Sequence, residues 1–137
     1  MTIQGLNHVN IRAEQPLLDS LRDFYCHVLG LREGERPPFP SPGYWLYAGQ
    51  LPVVHLYEAR PGENRPTVQR GPVDHFAFDA VDPSAVAARL RSMGVPFERK
   101  TLPAMGQVQI FLIDPAGNRV ELQFPPATAA DGLDDGA

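Results

Sequence analysis

The feature that most constrains this chain is that its order of elements is written twice. In the first half, LNHVNIR (residues 6 to 12) alternates as a strand, with Val9 and Ile11 on one face and His8, Asn10 and Arg12 on the other. Pro16 then suits a first helical position. Leu17, Leu18, Leu21, Phe24, Tyr25 and Val28 recur at helical spacing until Gly30 stops the run. YWLYA and PVVHLYE, separated by Gly49 and Gln50, read as a hairpin. The second half repeats the sequence of events. PVDHFAF is a strand, Asp82 and Pro83 are a cap and first-turn pair, and Val86, Leu90 and Met93 mark a helix that Gly94 ends. VPFERK is a short strand, and QVQIFLI and RVELQF are hairpin arms turned by DPAGN. The fold class predicted is α+β, two tandem βαβββ modules in one chain.

The halves also agree in register. His8 to His55 spans 55 − 8 = 47 positions, and His75 to Glu121 spans 121 − 75 = 46. His8 therefore corresponds to His75, and His55 to Glu121. In each of the four strands the polar group lies opposite an apolar pair: Val9 and Ile11, Val54 and Leu56, Phe76 and Phe78, Val120 and Leu122. If the apolar faces pack on the helices, the four polar groups look into whatever the sheets curve around, as four possible metal ligands. Cys26 and His27 lack partners at ligand spacing and read as helix surface or packing, while Asp114 reads as a turn residue.

Composition narrows the partners. The chain has 137 residues, twelve Lys and Arg against sixteen Asp and Glu, and a net charge of -4. Without a basic run it carries no electrostatic footprint for nucleic acid or for an acidic membrane. Its single cysteine closes no internal disulfide, and no apolar run is long enough to span a bilayer. The absence of a signal-like N-terminus leads to the expectation of a cytoplasmic protein. Proline and glycine clusters set the boundaries: a first module over 5–58, a linker over 59–72, a second module over 73–125 and a flexible tail over 126–137.

NHVNI, LRDFYCHVLGL, VDHFAF and DPAGNRVEL, in this order and spacing, resemble the vicinal oxygen chelate superfamily of glyoxalase I, extradiol ring-cleaving dioxygenases and fosfomycin- and bleomycin-resistance proteins. The resemblance covers nearly all of residues 5 to 125. It implies paired modules whose curved sheets enclose a divalent metal, with His8, His75 and Glu121 as the matching ligands. It also implies a homodimer, the modules pairing within one chain or across two. Position 55 departs from glyoxalase I, which has a glutamate there; some extradiol dioxygenases carry a non-ligating acid-base histidine in roughly that place. Those dioxygenases usually have a tyrosine ten positions before the final glutamate, where this chain has Phe111.

Imidazole and carboxylate donors without thiolate suit Zn, Ni, Co, Mn or ferrous iron. With His55 as a fourth ligand, an octahedral ion keeps two positions for adjacent substrate oxygens; with His55 free, a third position opens and His55 can move protons. His55 and Glu121 are accordingly the candidate catalytic residues. Trp45, Tyr47, Tyr57, Gln109 and Phe111 are expected to wall the cavity, and Asn10 and Arg12 to hold a substrate carboxylate or hydroxyl. The expected function is a metal-dependent enzyme that chelates two neighbouring oxygens of a small substrate, with glyoxalase-like lyase or isomerase chemistry. The alternatives are a ferrous ring-cleaving dioxygenase and a non-catalytic antibiotic-binding protein.

Overall fold

Each half of the chain builds the same sheet. The structure, a computed structural model, describes residues 2–67 and 71–126, so part of the 59–72 linker and the tail from 127 onward lie outside the described residues. The chain divides into two compact units, Met1–Val68 and Gln69–Ala137. In the first, β1 (Val9–Ala13), β2 (Arg32–Gly34), β3 (Gly43–Ala48) and β4 (Leu51–Glu58) form a four-stranded sheet in the order β1-β4-β3-β2. In the second, β5 (His75–Asp79), β6 (Glu98–Leu102), β7 (Gln107–Ile113) and β8 (Arg119–Gln123) form a sheet in the order β5-β8-β7-β6. Both sheets join one parallel pair, β1 with β4 and β5 with β8, to antiparallel neighbours. The parallel pair needs a long crossover, which in each module runs through the helix and the two strands between.

The repeat holds to the residue. The position two after the first histidine of each module faces the second candidate ligand across the parallel pair: Asn10 opposite His55, Ala77 opposite Glu121. Across the hairpin, Trp45 stands opposite His55 and Phe111 opposite Glu121. A bulge between Leu46 and Tyr47 displaces only the far end of the first hairpin.

Helix α1 (Gln15–Asp23) begins at Pro16 as expected, but it runs straight into a π-helical turn over Phe24–Val28. The wider turn rotates the apolar stripe so that Tyr25 joins Leu18 and Leu21 among the fully buried side chains. Gly30, at φ 79, then closes the segment, with the Leu31 N–H bonding the Tyr25 carbonyl at 2.9 Å. The sheet is tied to α1 by Tyr44, which donates to Asp19 at 2.6 Å and accepts from Arg22 at 3.0 Å. Helix α2 (Pro83–Ser92) is capped as its sequence foretells: the Asp82 carboxylate accepts from the Ala85 N–H at 3.2 Å.

The core of the first unit gathers Leu18, Leu21, Tyr25, Leu46, Val54 and Leu56, and that of the second Leu90, Ile110, Val120 and Phe124. Of the apolar pairs that alternation assigned to the helix side, Val54 and Leu56, and Val120 and Leu122, are buried, while Val9, Ile11, Phe76 and Phe78 are half-buried. The β7–β8 turn is set by Asp114, whose Oδ1 accepts from the backbone of Ala116 and Asn118, both at 2.9 Å. Its Oδ2 accepts from Asn118 Nδ2 at 2.9 Å. This closed set fixes the register in which β8 presents Glu121. Strand β1 starts at Val9, so His8 stands one residue before it rather than inside it.

Candidate functional site

Each unit brings two of the four candidate ligands together. In the first, the His8 and His55 rings stack with centroids 3.8 Å apart and planes at 12°. Trp45 covers the His55 ring at 4.1 Å and 11°, and Tyr57 lies parallel to it at 6.4 Å. The His55 Nε2 lies 3.0 Å from the Pro52 carbonyl. A carbonyl only accepts, so Nε2 carries the proton and Nδ1 is the ring's basic nitrogen. Burial first, then the neighbouring His8, hold this imidazole below its usual pKa, although the Pro52 carbonyl pulls the other way and Arg36 adds a small lowering. His55 is therefore a neutral base at physiological pH.

In the second unit, His75 Nε2 stands 3.4 Å from Glu121 Oε1, and Phe111 meets the His75 ring edge-on at 5.7 Å. Gln109 Nε2 donates to Glu121 Oε1 at 3.3 Å and to Gln123 Oε1 at 3.0 Å. Glu121 is only 7% exposed, a charge that must be matched. The Arg119 guanidinium lies over Phe111 at 4.0 Å, and a cavity of about 450 Å³ beside His75 is walled by Asp74, Phe76, Ile113, Asn118 and Arg119.

The residue before each of the paired histidines fixes its tautomer. Asn7 Oδ1 accepts from His8 Nδ1 at 2.7 Å, and Asp74 Oδ2 accepts from His75 Nδ1 at 2.6 Å. Arg119 holds Asp74 in turn at 3.0 Å, and His75 chiefly, then Arg119, keep the Asp74 carboxyl below the usual range. With Nδ1 occupied as a donor, the lone pair of a neutral imidazole sits on Nε2. Asn7 and Asp74 were not singled out from the sequence, though the repeat holds the signal: an oxygen-bearing side chain precedes both His8 and His75.

The donors fit a divalent metal. A carboxylate oxygen and an imidazole lone pair are both acceptors, and side by side, the carboxylate buried and the imidazole exposed, they can share a cation. His75 Nε2 and Glu121 Oε1 stand 3.4 Å apart, within the separation that two ligands of one ion can span. Among the described residues, no three His, Cys, Asp or Glu side chains gather into a group that could hold a metal ion.

The expected substrate wall divides. Trp45 and Tyr57 flank His55; Gln109 and Phe111 flank Glu121. Arg12 sits over Tyr57 at 5.9 Å and is paired with Glu63 at 3.7 Å. Asn10 is exposed. Tyr47 stands apart from His55: its hydroxyl donates to the Glu35 carbonyl and its ring lies under Arg32 at 5.0 Å, at the β2 edge.

The profile of the Glyoxalase/Bleomycin resistance protein/Dioxygenase superfamily matches residues 5–122. Among solved structures, a glyoxalase family protein from Bacillus anthracis is similar at a TM-score of 0.73 with 23% identity, covering 91% of this chain and 98% of that one. The fosfomycin resistance protein FosX of Listeria monocytogenes, solved as a glutamate-to-glutamine mutant with Mn(II) and 1S,2S-dihydroxypropylphosphonic acid, gives 0.67 with 16% identity, over 96% and 98%. Lactoylglutathione lyase from Agrobacterium tumefaciens gives 0.59 with 23% identity, over 90% and 96%. No curated protein sequence matches the chain. Among the described residues, no helix is long and apolar enough to cross a membrane.

Proposed function

The chain belongs to the Glyoxalase/Bleomycin resistance protein/Dioxygenase superfamily, and on that premise we propose that it is a divalent-metal-dependent enzyme acting on a small substrate with two adjacent oxygens. Its ligands are His8 Nε2, His75 Nε2 and Glu121 Oε1. The observation that carries this reading is the paired preparation of the two histidines, each with Nδ1 spent on the side chain before it, together with the 3.4 Å spacing of His75 and Glu121. A bound Zn, Ni, Co, Mn or ferrous ion would polarise both substrate oxygens and stabilise the negative charge that develops on them.

His55 supplies the proton transfer. Two nearly parallel rings 3.8 Å apart do not both hold one ion in their planes at ~2.0–2.1 Å, which favours His55 as a base over His55 as a fourth ligand. Its Nε2–H is engaged by Pro52, its plane is clamped between His8 and Trp45, and its Nδ1 is free to accept a proton. In the glyoxalase-like reaction, Nδ1 takes the proton from the hydroxyl-bearing carbon beside the substrate carbonyl and returns it to the carbonyl carbon, while the hydroxyl proton passes to the former carbonyl oxygen, so that hydroxyl and carbonyl exchange places with no net gain or loss of protons.

His55→Ala is expected to retain metal and to lose at least about 100-fold in rate, the contribution of a positioned proton carrier. Metal content of the purified variant and solvent-deuterium exchange into a panel of 2-hydroxy ketones measure the two quantities. Loss of metal from the variant would make His55 a ligand instead. The same donor set, two imidazoles and one carboxylate with His55 unligated, also suits a non-haem ferrous oxygenase. Oxygen uptake with a catechol panel in the iron-loaded protein would establish that second reading in place of the first.

A further inference from the structure

Among the described residues, four buried side-chain nitrogens have no hydrogen-bond partner, and three of them fall in one place: Arg36 Nε, Arg36 Nη2 and Trp45 Nε1. All three are donors, and two belong to a permanent positive charge. The Arg36 guanidinium rests in the angle between Phe39 and Tyr57, with its central carbon 5.2 Å and 5.0 Å from their ring centres. It has no ion pair among the described residues.

Its seat is built by a missing side chain. A Cβ on Gly43 would lie 2.9 Å from Arg36 Nη2 and would collide with the Leu56 carbonyl, so the guanidinium settles where only glycine leaves room. Gly43 pairs with Tyr57, and Trp45 with His55, so seat, orphan indole and candidate base share one face of the first sheet. Phe39 lies beside them on the loop before β3: its ring is 6.5 Å from Trp45 and 5.9 Å from Tyr57 and is 42% exposed.

We propose that Arg36 and Trp45 form an oxyanion subsite that takes the carboxylate, phosphonate or phosphate group of the substrate. A buried donor without an acceptor is costly, and a guanidinium offers the forked pair of N–H groups that a planar or tetrahedral oxyanion accepts. The subsite deepens the enzymatic reading, on which it rests for the identity of its ligand as substrate: the molecule acted on is an acid, with its anionic group held at Arg36 while His55 works on the carbon beside its oxygens.

Trp45 is the chain's single tryptophan, so its fluorescence reports on the subsite and on the neighbouring His55. The full chain, as purified and again after chelator treatment, is titrated at fixed ionic strength with acetate, methylphosphonate and inorganic phosphate, with methyl acetate and sodium chloride as controls. A saturable change with at least one oxyanion, in both preparations, is expected, and the preferred anion identifies the carboxylate or the phosphorus source. Arg36→Gln is expected to bind about tenfold to hundredfold more weakly, the effect of lost charge-assisted hydrogen bonds, and Arg36→Lys to fall between, with circular dichroism unchanged in both. Absence of a saturable response, or equal affinity in wild type and both variants, overturns the proposal. Metal titration of wild type and Arg36→Gln separates the two readings: oxyanion binding without metal binding keeps the subsite and removes the metal enzyme, and metal binding without an oxyanion response does the reverse.

Discussion

Glu121→Gln is expected to weaken divalent-metal binding by more than about 100-fold, because the residues that merely orient metal ligands already cost about 10–100-fold when removed. The substitution is close to isosteric. Gln keeps an amide oxygen to accept from Gln109 Nε2, so the packing of a residue only 7% exposed is preserved, while the charge beside His75 Nε2 is removed. The orienting residue gives the scale from within the same unit. Asp74→Ala removes the acceptor that holds His75 Nδ1 at 2.6 Å and is expected to cost about 10–100-fold; Asp74→Asn, which keeps an acceptor oxygen, is expected to cost less. Competition against a chromophoric chelator measures all three. A Glu121→Gln protein with wild-type affinity would remove Glu121 from the ligand set.

Phe124→Ala is expected to destabilise the protein by about 3–5 kcal/mol, the usual cost of emptying a phenylalanine site in a packed core. Phe124 lies one residue past β8, is fully buried, and follows Val120 and Leu122 on the inner face of the second sheet. Its backbone N–H bonds the Val108 carbonyl at 3.1 Å and survives the substitution, so the loss comes from packing rather than from pairing. Ile113→Ala, at a position 56% exposed, is the control and is expected to stay within about 0.5 kcal/mol. Urea unfolding followed by far-ultraviolet circular dichroism gives both values, with a shift in midpoint at unchanged slope marking a true change in stability. Equal midpoints for the two variants would contradict the placement of the core.

Repetition made the sheets legible. Because each module states its strands in the same order, a period of two assigned Val54 and Leu56 to the helix side and His55 to the other, and the observed registers of Asn10 with His55 and Ala77 with Glu121 follow the same count. The short edge strand β2 was not legible. Arg32, Glu33 and Gly34 carry no apolar alternation, and they become a strand only by pairing with β3. The π-helical turn at Phe24–Val28 was equally hidden, since residues spaced for an ordinary helix also serve a slightly wider one.

The site divides along the same line. His8, His75 and Glu121 stood out because residue type and register coincided. Arg36 did not, since a charged residue among the prolines of a loop gives no sign that Gly43 will leave room for it between Phe39 and Tyr57. Tyr47 departs from the expected wall for a physical reason visible in the register: the bulge after Leu46 and the pull of Arg32 and Glu35 carry it to the sheet edge.

The proposal that His8, His75 and Glu121 hold a divalent ion is tested most directly by the metal stoichiometry of the wild type, His8→Ala and His75→Ala proteins in calorimetric titration with zinc. One ion per chain in the wild type, lost from both variants, is the result this account predicts. Retention of wild-type stoichiometry and affinity by His8→Ala, with loss confined to His75→Ala, would show that the second module binds metal on its own and would contradict it.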